Sequence, residues 1–221
     1  MVKLFEIRDI VFSPGGDKRQ IRVSGTLDEG RFMGVRGPSG SGKTTLLRIL
    51  ARLRETEAGM ALLEGRGWSE FTPVEWRRKV HYLSQKPVIF DGTVGQNLRM
   101  PFGLAAVHRD VSFDSSRVSA YLKRLYLSES ILEQDARTLS GGEAARIALI
   151  RALITAPRVL LLDEPLAALD LKAAAAVTGL VCEWVSGEPG RGVVIVSHTG
   201  DIAALPGISY VEIGVEEGGS K

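Results

Sequence analysis

The stretch Gly37-Pro38-Ser39-Gly40-Ser41-Gly42-Lys43-Thr44-Thr45-Leu46-Leu47-Arg48-Ile49-Leu50 sets three glycines, a lysine and two threonines directly before an apolar helical pattern. So few large side chains leave the backbone as the working part. Glycines at 37, 40 and 42 let successive amides turn inward into a concave nest, and the helix begun by TTLLRIL adds its positive N-terminal end to the same point. That combination is a pocket for phosphate.

Gly37, four residues, then Gly42-Lys43-Thr44 is the spacing of the P-loop. Its backbone amides, with Pro38, Ser39, Gly40, Ser41 and Thr45 completing the turn, hold phosphates. Lys43 reaches the β and γ oxygens, and the Thr44 hydroxyl ligates Mg²⁺. The preceding RFMGVR supplies the strand that such a loop follows. The motif leaves open what the nucleotide's energy is used for.

The chain of 221 residues, 44% hydrophobic and 24% charged, has the composition of one soluble globular domain with room for an inserted lobe but none for a second catalytic domain. A net charge of +2 without a run of Lys or Arg gives no nucleic-acid stripe. MVKLFEIRDI lacks the apolar core of a signal peptide, and no apolar run approaches the ~20 residues that cross a bilayer, so a cytosolic chain is expected. The single cysteine, Cys182, reads as a small buried hydrophobe.

LFEIRDIVF and QIRVSGTL read as strands around the turn SPGGDK, while RFMGVR, VHYLSQ, RVLLLDEP and GVVIVSH are short apolar runs of the kind buried on both faces of a parallel sheet. TTLLRILARL, GGEAARIALIRALI and LKAAAAVTGLVCEWV are the helices between them, at lengths that suit βαβ crossovers. From Gln85 to Leu139 no interior strand is evident. A helix from about Ser116 to Leu127 puts Val118, Tyr121, Leu122 and Leu125 on one face. The expectation is an α/β fold with a mainly parallel sheet and a helical lobe inserted over about residues 86–155.

A second anion-binding mouth is suggested by LSGGEAARIALIRAL, where Ser140, Gly141 and Gly142 open a helix. Alone, Ser140 with Glu143 is an ordinary capping box. Its neighbours favour more. Asp163 ends the strand VLLL and would orient Mg²⁺ directly or through water, and Glu164, just before Pro165, can accept the proton of an attacking water. Asp170 follows in AALD, and His198 ends VIVSH at the sheet edge where ligands bind and could reach a γ-phosphate. Gln85, after VHYLS, offers an amide oxygen to Mg²⁺ or to the water.

Taken in order, GPSGSGKT, Gln85, LSGGE, VLLLDEP, AALD and His198 resemble the Walker A, Q-loop, signature, Walker B, D-loop and switch-histidine motifs of ABC ATPases, the nucleotide-binding subunits of ATP-binding cassette transporters. The resemblance covers essentially the whole chain. It implies the ABC ATPase fold, a P-loop NTPase core with an N-terminal antiparallel β portion. It also implies ATP and Mg²⁺ as ligands, and a homodimer in which Ser140, Gly141, Gly142, Glu143 and Asp170 of one copy close the ATP site of the other. A permease partner in the membrane, no nucleic-acid partner, and a place on the cytoplasmic face follow from the same likeness. Phe12, 25 residues before Gly37, stands where the family has an adenine-stacking aromatic. Ala145, Ala167 and the Thr199-Gly200 pair depart from the family's usual residues without removing a catalytic group.

HYLSQKPVIFDGTVGQNLRMPF, SESILEQ and RIALIRAL are similar to FetA-type iron-export ATPases, with phosphate-importer ATPases next, and from the short stretch after His198 a sugar-importer regulatory domain is not expected. The motifs equally suit a non-transport ABC ATPase, such as one serving iron-sulfur cluster assembly. Val88, Ile89 and Phe90, directly after Gln85, are expected to dock a short helix of the membrane subunit, or else to pack between sheet and lobe.

Overall fold

The computed structural model describes residues 2–14, 19–104, 111–197 and 200–213. The first thirty residues make two strands. β1 (Lys3–Phe12) pairs antiparallel with β2 (Ile21–Asp28) on one side and with β4 (Ala58–Leu63) on the other. β2 alternates apolar and polar side chains, while β1 is buried at consecutive positions where its register shifts. The short β5 (Arg66–Gly67) completes a four-stranded sheet in the order β2-β1-β4-β5.

The continuous apolar runs form a second sheet, parallel throughout. Its strands are β3 (Phe32–Arg36), β6 (Val80–Leu83), β7 (Val159–Asp163), β8 (Gly192–Val196) and β9 (Ile208–Glu212), in the order β6-β7-β8-β3-β9. Every residue of β7 and β8 is buried, as a strand covered on both faces requires.

Alternate residues of these strands feed two separate cores. Leu160, Leu162, Val193 and Ile195 join one. It is shared with α3 (Val94–Arg99), α4 (Ser115–Arg124), α5 (Gly141–Ile154) and α6 (Leu171–Gly187). Val159, Leu161, Val194 and Val196 join the other, with α1 (Lys43–Leu50) and the antiparallel sheet. The result is three layers. Each fully buried Leu or Val contributes about 1.5–3 kcal/mol, so the alternation along two short strands decides which layer lies on which face.

Residues 86–155 contain, among those described, only helices, 3₁₀ turns and one isolated bridge between Thr93 and Asp135. In α4, capped by Asp114, Val118 and Leu122 are buried, as is Leu125 just after it, while Tyr121 is partly so. Cys182 is partly rather than fully buried against the same core.

Several elements differ from the sequence reading. β4, β5 and β9 were not anticipated, nor was α2 (Pro73–Lys79), although Thr72 with Glu75 forms a capping box and Pro73 takes the first helical turn. Trp76 of α2 donates its indole N–H to the Leu50 carbonyl at 2.7 Å, satisfying one of the open carbonyls at the end of α1. That helix therefore stops at Leu50, short of Leu53. β6 stops at Leu83, which puts Gln85 in the following loop.

Candidate nucleotide site

The chain leaves β3 into a loop that only glycine can form at two points. A Cβ on Gly37 would lie 2.7 Å from the Ser41 hydroxyl and 2.8 Å from the Ile213 carbonyl. Gly42, at φ 97°, is the N-cap of α1, and a Cβ there would meet the Phe12 ring at 2.9 Å. Having no side chain, Gly42 leaves the first amides of α1 without a side-chain cap, which is what an anion at a helix mouth uses.

Lys43 folds back over this loop and is only 7% exposed. Its ammonium donates to the carbonyls of Gly37 and Pro38, each at 2.8 Å. Burial pulls its pKa down, while the carboxylates of Glu164 and Asp163 push it back up. The Ser41 hydroxyl is buried with no hydrogen-bond partner, an unmet polar group in the loop. Ser39 and Gly40 are exposed at the tip, Gly40 accepting from Arg19 at 3.3 Å, and the Thr45 hydroxyl accepts from Arg54 at 3.4 Å.

Asp163, at the C-terminal end of β7, is almost wholly buried, and both its oxygens are used. Oδ1 accepts from the Thr44 hydroxyl at 3.0 Å, which joins α1 to the sheet. Oδ2 accepts from the Tyr82 hydroxyl at 2.8 Å. Burial, with smaller contributions from Asp163, pushes the Tyr82 phenol up to about 12, so it stays a donor. Glu164 follows in the left-handed region, φ 49°, with its N–H on the Val196 carbonyl at 2.9 Å. Its Oε2 accepts from the Gln85 amide at 2.8 Å, and the same amide keeps an oxygen able to accept or to coordinate.

Thr44, Asp163 and Gln85 together offer a hydroxyl, a carboxylate and an amide, all oxygen donors of the kind Mg²⁺ takes. Among the described residues no group of three or more His, Cys, Asp or Glu could hold a metal by itself. The donor set therefore fits a cation shared between a few protein oxygens and phosphate.

Phe12 is a correction. Its ring is 2% exposed, in the core between the antiparallel sheet and α1, with an edge against Gly42, so its faces are not open to stack on a base. His198 lies outside the described residues. Tyr82 and Arg48 were missed by sequence reasoning. A tyrosine in VHYL, three residues before Gln85, was the available signal.

The mouth of α5 is built differently. The Ser140 hydroxyl accepts from the Glu143 N–H at 3.3 Å, and Glu143 Oε2 accepts from the Ser140 N–H and hydroxyl at 2.9 and 2.7 Å. These bonds hold the Glu143 carboxyl below its ordinary pKa. The capping box is thus present, and the two glycines lie beside it. No atom lies within 4 Å of a Cβ added to Gly141, while Gly142 has the Ala168 carbonyl at 3.3 Å, so the AALD turn rests against this mouth in the same chain. Asp170 caps α6 by accepting from the Ala173 N–H at 2.8 Å. The buried side of α5 belongs to one core and that of α1 to the other, so the two glycine-rich mouths sit on helices packed against opposite faces of the parallel sheet.

Residues 21–167 match the family described as ABC transporter. The chain belongs to this family. As an ABC ATPase it binds and hydrolyses ATP as a transporter subunit. The probable iron export ATP-binding protein FetA of Escherichia coli K12 is 36% identical over 90% of this chain and 86% of its own length. A spermidine/putrescine import ATP-binding protein, PotA of Chromobacterium violaceum, is 37% identical over 76% of this chain, which spans 46% of PotA. Among solved structures, the dimeric post-hydrolysis state of the ATP-binding cassette MJ0796 bound to ADP and Pi superposes with a TM-score of 0.77 at 25% identity, over 96% of each chain.

Proposed function

We propose that two copies of this ABC ATPase close on two MgATP, each nucleotide lying between the Gly37–Thr44 loop of one copy and the Ser140–Glu143 mouth of the other. The observation that carries this reading is the placement of the two mouths on helices covering opposite faces of one sheet. A P-loop leaves one side of the γ-phosphate open, and a helix N-terminus from a second, symmetry-related copy is suited to close it. The loop amides and Lys43 hold the phosphates. Thr44, Asp163 and Gln85 would hold Mg²⁺, which would supply positive charge against the phosphates. Glu164 takes the proton of the water that attacks the γ-phosphorus as the bond to the β–γ bridging oxygen breaks, and Gln85, bonded to Glu164, orients that pair. His198 is proposed to reach the γ-phosphate, and Asp170 to act across the dimer.

Among the described residues no helix is long and apolar enough to cross a membrane, and the reading gives the pathway to a separate permease, with this chain on its cytoplasmic face. Val88 and Phe90, 55% and 41% exposed, form the proposed docking surface. Ile89 is partly buried against the lobe core and belongs to packing. The Asn97 amide holds Phe90 through both backbone groups, at 2.9 Å each, so the surface is presented on a fixed turn. Extended similarity to FetA supports metal-ion export as the transported class.

The reading is tested with Glu164→Gln, which keeps ATP affinity but lowers hydrolysis by about two orders of magnitude or more. In saturating MgATP the variant accumulates as a dimer by light scattering. A strictly monomeric variant would contradict the two-chain site.

A further inference from the structure

We propose that Tyr82 is a positioning residue for the Mg²⁺ site: its hydroxyl fixes the second oxygen of Asp163 so that the first stays turned toward Thr44. The inference rests on the cation reading above and adds a residue that touches neither cation nor nucleotide. A carboxylate buried as deeply as Asp163 needs partners on both oxygens. Thr44 alone would leave Oδ2 without one, and the carboxylate torsion is broad enough to swing. The Tyr82 bond at 2.8 Å comes from β6, while the Thr44 bond at 3.0 Å comes from α1, so the group is gripped from two elements.

Arg48 closes the circuit. It lies one helical turn beyond Thr44, on the same face of α1, and its guanidinium is close enough to Tyr82 to act on the phenol electrostatically. A guanidinium only donates, so it does not compete for the phenol O–H, which serves Asp163. Three residues further along, Gln85 ties to Glu164 at 2.8 Å. β6 and the loop after it thus send one side chain each to Asp163, which ends β7, and to Glu164, which follows it. Tyr82 packs its ring against the α1-side core, but filling that core requires no hydroxyl.

The experiment is calorimetric ATP binding in saturating Mg²⁺ and in excess EDTA, for wild type, Tyr82→Phe, Arg48→Met, the double variant and Asp163→Asn. Tyr82→Phe is expected to keep its melting temperature and its EDTA affinity within about twofold while losing about tenfold of the enhancement by Mg²⁺, the effect of one bond to a charged group. Arg48→Met loses less, and the double variant loses no more than Tyr82→Phe, because both act through one contact. Asp163→Asn loses the enhancement altogether. If Asp163→Asn behaves so but Tyr82→Phe keeps the full enhancement, or loses affinity equally with and without Mg²⁺, Tyr82 does not position the site. If Asp163→Asn also keeps the enhancement, the cation reading fails and this inference falls with it.

Discussion

Two glycine-rich helix mouths in this chain look alike as sequence and differ as structure. At the mouth of α1 the loop is closed in: Lys43 and Ser41 are buried, Thr44 is bonded to a strand end, and the glycine N-cap supplies no cap of its own. At the mouth of α5 the amides already have a capping box, and Gly141 faces open space. The first is a loop whose form depends on long-range contacts with β7. The second is a self-sufficient helix end presented outward, suited to act on something brought to it. Equal motifs therefore carry unequal work: the first is proposed to bind, and the second to complete.

The largest effect that separates them is expected from Gly141→Asp. An added Cβ meets no neighbour, and a carboxylate at a helix N-terminus favours the helix, so the melting temperature should hold or rise slightly. Facing a γ-phosphate it repels, and hydrolysis should fall by about 100-fold or more while ATP affinity of the monomer stays within twofold. Equal loss of monomer affinity would mean that both mouths serve one nucleotide within one chain. A smaller effect is expected from Lys43→Ala, which removes charge-assisted bonds of about 1.5–3 kcal/mol and should lower ATP affinity at least about tenfold by calorimetry. Unchanged affinity would remove the α1 mouth from the site. The smallest is Ser140→Ala, which deletes the cap of α5 and should cost about 1 kcal/mol, or about 2–4 °C in melting temperature. No change would mean that the capping box does not support α5.

Legibility followed locality. The Gly37–Thr44 loop, the runs ending at Asp163 and Val196, and the helix from Gly141 to Ile154 are written in contiguous residues whose period and punctuation decide their form. β9 and β4 were not legible in the same way. ISYVE is a half-exposed edge strand whose pairing with β3 is settled by tertiary contact, and AGMALL gains its strand character from β1. Within the site, the pairing of Gln85 with Glu164 and of Thr44 with Asp163 joins positions 79 and 119 residues apart. Their chemistry could be read from residue type, but Tyr82 could not, because a tyrosine in a short strand looks like core until its hydroxyl is seen to reach a carboxylate. Phe12 shows the converse: a position matching a family aromatic is here taken up by packing against Gly42.

Mixing two inactive variants tests the two-chain site most directly. Lys43→Ala disables the phosphate loop and Gly141→Asp the outward mouth. When they are combined in equal amounts with ATP, half of the dimers are mixed, and each mixed dimer joins one intact loop to one intact mouth. The account predicts recovery of hydrolysis to about a quarter of the wild-type rate from two proteins that are each nearly inactive. A mixture that stays as inactive as its components would show that each site is built within a single chain, and would contradict the account.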